Sequence, residues 1–100
     1  MNMYAIMRRN GWPTPEQLQT ATVRSIEEGA RHGGRVRWMR SYVLEEAAGD
    51  LGMVCLYEAV SADAVREHAE AAGLPCDEVV EVAVTLVGRE DPMRTAPVPR

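Results

Sequence analysis

The first apolar stretch, Met3 to Arg8, is short and runs into Asn10-Gly11, a turn signal, so it predicts a first strand. A marked helix start follows: Thr14 suits the N-cap, Pro15 the first helical position, and Gln17 completes a capping box. Leu18, Thr22, Ile26 and Gly29 or Ala30 recur at near-helical spacing and predict the buried stripe, which Gly33-Gly34 ends. Val36, Trp38, Tyr42 and Leu44 fall on one side of a second strand, with Arg37, Met39, Ser41 and Val43 on the other. Glu45 to Gly52 reads as a turn and Met53 to Glu58 as a third strand, and so short a link implies antiparallel pairing.

Ser61 can cap a second helix, with Val65, Ala69 and Ala72 inward and Arg66 with Glu70 as an outer pair. Gly73-Leu74-Pro75 is a strong stop. Val79 to Val87 predicts a last strand, with Val80, Val82, Val84 and Leu86 committed to the core. The order β-α-β-β-α-β predicts an α+β, ferredoxin-like domain over residues 1–88: a four-stranded antiparallel sheet with both helices on one face. Residues 89–100, with Pro92, Pro97 and Pro99, read as a tail or an arm laid on a partner.

That architecture leaves the second sheet face to water unless something covers it. Met3, Ala5 and Met7 from the first strand and Cys55 and Tyr57 from the third are expected there, and they are too apolar to remain wet. The expected partner is a second copy of the chain, face to face, in a dimeric α/β barrel-like assembly.

Composition narrows the classes. One hundred residues, 46% hydrophobic and 26% charged, suit one globular domain that needs no disulfide or structural metal to fold. A net charge of −4, with arginines scattered rather than striped, argues against nucleic acid and anionic membranes as partners. No apolar run approaches the roughly 20 residues needed to span a bilayer. The N-terminal charges follow the apolar residues, the reverse of a secretory leader. A cytoplasmic location is expected, with Cys55 and Cys76 as reduced thiols.

Candidate chemistry is sparse. His32 closes the first helix, where a surface imidazole is favoured by the dipole. His68 lies at the edge of the second helix's stripe, and neither histidine has a partner at helical clamp spacing. No nucleophile elbow or phosphate-cradling glycine loop occurs, and no catalytic residue is assigned. Glu58 and Glu81 project from strands as ordinary surface carboxylates, and Cys76 sits beside Asp77 and Glu78, which discourage a thiolate. Tyr42, Cys55 and Tyr57 could line a pocket.

The segments Val36-Arg37-Trp38-Met39-Arg40-Ser41-Tyr42-Val43, Cys55-Leu56-Tyr57-Glu58-Ala59, Val65-Arg66-Glu67-His68-Ala69 and Ala72-Gly73-Leu74-Pro75 resemble a small bacterial nickel-binding protein family, first catalogued as a domain of unknown function. The helix start Thr14-Pro15-Glu16-Gln17-Leu18 is similar too, so the resemblance covers roughly residues 3–87. It implies a ferredoxin-like fold, a dimer and nickel binding, with motif matches at Ser41, Tyr42, Cys55, Tyr57, Arg66 and His68. Departures are Val60 where proline is expected, a longer glycine-rich turn over residues 45–52, and Cys76 in place of a small residue.

Three functions compete. The first is a divalent-metal protein using His68, with Cys55 or carboxylates, for an ion such as nickel. The second is a small-molecule-binding or monooxygenase- or isomerase-like dimer, with Tyr42, Cys55, Tyr57, Arg66 and His68 around a pocket between helices and sheet. The third is an interaction module whose sheet face serves assembly alone.

Overall fold

The computed structural model describes residues 1–31 and 33–92. The elements are β1 (Asn2–Trp12), α1 (Pro15–Arg31), β2 (Val36–Glu45), β3 (Leu51–Ala59), α2 (Ala62–Ala72) and β4 (Glu78–Glu81). The sheet order is β2-β3-β1-β4, every neighbouring pair antiparallel, and both helices pack on it. This is the ferredoxin-like α+β architecture. His32 and residues 93–100, the greater part of the expected tail, lie outside the described residues.

The helix ends form where the side chains direct them. Gln17 N–H donates to Thr14 Oγ1 at 3.2 Å, and Ala64 N–H donates to Ser61 Oγ at 3.1 Å. At the far end of α2, Gly73 takes the left-handed conformation (φ 67°), donating to Glu70 O while Leu74 N–H reaches Ala69 O. That pairing turns the buried Leu74 back onto the core.

Five expectations are corrected. Asn10-Gly11 is not a turn: β1 continues to Trp12 through a register shift after Arg8, with Asn10 at φ 48°. The Glu46 carboxylate holds the irregular stretch, accepting from Asn10 N–H at 2.6 Å and from Arg9 Nη2 at 2.8 Å, and the strand then delivers Trp12 to the core.

In β2 a bulge at Met39 interrupts the pairing between Trp38 and Arg40. Beyond it the faces exchange, because one extra residue moves every later side chain to the other side. Ser41 lies opposite Cys55 on the helix side, and Tyr42 lies opposite Val54 on the open side.

In β3 the expected face of Cys55 and Tyr57 is reversed. They pair across from Ile6 and Tyr4, and all four are buried under the helices. The open face carries Met3, Ala5 and Met7, as expected, but with Val54 and Leu56 beside them.

The last strand is shorter than its β-branched sequence suggests. β4 ends at Glu81, and Val79 rather than Val80 packs against the core. After Val82 N–H donates to Met3 O, the chain leaves the ladder, and Val84 and Leu86 are 73% and 90% exposed. In α1, likewise, Leu18 packs against the core as expected, but the buried position is Ala21 and Ile26 is exposed.

Two outcomes follow from the Glu46 corner. A Cβ on Gly52 would lie 2.7 Å from both the Arg8 carbonyl oxygen and Glu46 Oε2. Gly52→Ala is therefore expected to lower stability by about 1–3 kcal/mol in urea unfolding, the usual penalty of overpacking. The Glu46 carboxyl is held below its ordinary value, first by the Arg9 hydrogen bond and then by the Asn10 N–H. A lowered folded-state value stabilises the fold above the ordinary carboxylate range, and that contribution is lost as pH falls through the range. Acid unfolding followed by circular dichroism should therefore become less steep in Glu46→Gln.

Candidate functional site

Between α1, α2 and the helix-facing side of the sheet lies a cleft of about 1480 Å³. β2 is an edge strand, and the cleft opens beside it, past the exposed Trp38, Val43 and Ile26. The walls are largely apolar, from Leu18, Ala21, Val36, Met53 and Leu74. Room for a small organic molecule, in a mostly apolar wall with a few converging polar groups, is the usual form of a ligand site.

Three of those polar groups form one connected set. Ser25 Oγ lies 3.2 Å from the Tyr57 hydroxyl and 3.1 Å from His68 Nε2, and the Tyr57 and His68 rings sit 5.7 Å apart, tilted by 55°. β3 places Tyr57, α1 places Ser25 one turn beyond the buried Ala21, and α2 places His68 in the middle of its buried face, 1% exposed. Burial pushes the Tyr57 phenol above its ordinary value, partly opposed by the Ser25 hydrogen bond and, more weakly, by the nearby Arg8 charge. Tyr57 is accordingly a neutral phenol near pH 7.

A second set lies toward the β2 edge. Trp38 Nε1 donates to Ser41 Oγ at 2.9 Å, and Ser41 Oγ donates to Cys55 Sγ at 3.1 Å. Cys55 is a buried free thiol.

The group that changes the electrostatics of the cleft is Arg8. It belongs to the same helix-facing row of β1 as Tyr4 and Ile6, and it is fully buried, at 0% exposure. Nη1 donates to the Pro75 carbonyl at 2.6 Å, whereas Nε and Nη2 make no well-formed hydrogen bond among the described residues, although the Tyr57 hydroxyl lies near enough to feel the guanidinium. A desolvated charge with donors left over is expensive, and such groups in native structures usually mark a ligand, an ion or water.

The expected site residues divide. Cys55, Tyr57 and His68 come together inside the cleft. Tyr42 reaches only its rim, where its hydroxyl donates to Asp91 Oδ2 at 2.8 Å and accepts from Arg40 Nη1. Arg66 is not in the cleft: it is exposed on the outer side of α2, 3.4 Å from Asp63, rather than paired with Glu70. The sequence reading missed Arg8 and Ser25. Arg8 was visible in principle as a charge in step with Tyr4 and Ile6.

As a metal centre the cleft is poorly suited. Among the described residues no group of three or more His, Cys, Asp or Glu side chains converges. A fully buried guanidinium shares the space, and its charge repels a divalent cation. The donors that the described residues bring to the cleft do not fit a nickel ion. No helix among the described residues is long and apolar enough to cross a membrane.

A family model described as nickel responsive protein, SCO4226-like, matches residues 4–82. The crystal structure of SCO4226 from Streptomyces coelicolor A3(2) is similar at 25% sequence identity with a TM-score of 0.65, covering 84% of this chain and 99% of that one. No curated protein matches.

Two substitutions probe the interior. Ser25→Ala removes the shared partner of Tyr57 and His68 and is expected to lower stability by about 1–3 kcal/mol, the penalty of stranding buried polar groups. Arg8→Met keeps the volume and removes the charge, so urea unfolding should show a variant at least as stable as the parent.

Proposed function

Because the chain belongs to the SCO4226-like family of nickel responsive proteins, we propose that it acts in a nickel response as a cytoplasmic homodimer and takes up the divalent ion outside the helix–sheet cleft. The observation that carries the nickel reading is the family match itself, which spans β1 through the start of the segment after β4. Locating the ion outside the cleft rests on the buried Arg8 and on the lack of a converging donor group there among the described residues. Imidazole would suit nickel, and His68 is the described histidine, but its ring is committed to the Ser25 and Tyr57 set.

The homodimer is supported by apolar surface. Half-buried Met3, Ala5, Met7, Val54 and Leu56 line the open sheet face, and Val84, Leu86 and Val87 project from the extended segment after β4. Apolar surface on this scale usually marks an interface. A second copy would cover the sheet and give the unladdered segment a place to lie.

Tag-free protein should run in light scattering at twice the 11.1 kDa chain mass, and Leu86→Asp should shift it toward the single chain. A parent that is monomeric at micromolar concentration removes the dimer. In calorimetry with nickel, the parent and His68→Ala are expected to take up the ion alike. No uptake by the parent ends direct nickel binding, and selective loss in His68→Ala puts the ion in the cleft.

A further inference from the structure

We propose that the cleft is a binding site for a small organic acid with an apolar body, its carboxylate drawn to the guanidinium of Arg8. This goes beyond the nickel reading and does not depend on it.

The two nitrogens of Arg8 that make no well-formed hydrogen bond among the described residues are Nε and Nη2. They form one edge of the guanidinium, a pair of parallel N–H groups that matches the two oxygens of a planar carboxylate. The third nitrogen is anchored on the Pro75 carbonyl, which holds that edge in a set orientation. No carboxylate of the described residues pairs with it: at the rim, Asp91 is already engaged by Arg40 and Tyr42. The buried cation thus lacks a counter-charge that an acid from outside would supply.

The surroundings specify the rest of the ligand. Ser25 adds a hydroxyl to the same wall, while Met53, Trp38 and Ile26 along the way to the rim offer apolar contact. The planar two-oxygen face of a carboxylate matches that edge, and the mostly apolar wall favours an acid with an apolar body over a bare inorganic anion. Nε and Nη2 touch no open space in the present arrangement, so the acid engages them as the Tyr57 hydroxyl beside them gives way.

The test uses tag-free parent protein in the presence of a chelator, which separates it from any metal effect. Benzoate and hexanoate are titrated, with benzamide as the uncharged counterpart and inorganic phosphate as a second anion. The Arg8 Nε–H signal is followed by proton–nitrogen NMR and affinity by calorimetry. The acids are expected to move that signal and to bind, benzamide and phosphate to do neither. Arg8→Met should weaken binding by about tenfold to hundredfold, the usual effect of removing a charged hydrogen-bond partner. An Arg8 signal indifferent to both acids, a preference for phosphate, or unchanged affinity in a folded Arg8→Met overturns the proposal. If that variant does not fold, the parent's own Arg8 signal decides.

Discussion

Everything in this fold turns on the register of β1. It is an inner strand, paired with β3 on one side and β4 on the other, so its alternation cannot slip without turning out the whole row of Tyr4, Ile6 and Arg8. Two apolar members of that row anchor the core, and the third brings a positive charge beneath the helices. The Glu46 corner locks the same strand at its far end, where the irregular stretch after Arg8 would otherwise loosen the pairing.

The charge so buried sets the chemical character of the interior. A cleft containing an arginine, a phenol, two serines, a thiol and an imidazole has donors enough to orient a polar head and apolar wall enough to hold a body. It is a poor host for a cation. The proposed nickel uptake and the proposed acid site therefore call on different parts of the protein.

The segment after β4 is the part of the chain that bears most directly on the proposed assembly. Its alternating valines and leucine have the composition of a strand, yet within one chain they find no ladder beyond the single bond to Met3. A strand sequence placed at a sheet edge and left exposed asks for a neighbour, and natural proteins rarely leave such edges uncovered. The open face of the sheet, with Met7, Val54 and Leu56, is likewise apolar and only half-buried.

The linear pattern was sufficient for the element order, the antiparallel sheet and the helix caps at Thr14, Ser61 and Gly73, because caps and turns are local contests between a side chain and its own backbone. It also singled out Cys55, Tyr57 and His68, three of the residues that meet in the cleft. It could not assign faces in β2 and β3. The bulge at Met39 inverts parity partway along β2, and nothing local in Trp38-Met39-Arg40 announces it. Nor could it foresee that Arg66 points outward while Arg8 is buried, since which of two arginines is desolvated depends on what packs over it. Local chemistry determined the elements; only the assembled layers, by choosing which side of each strand the helices cover, decided where the charge lies and what the cleft can hold.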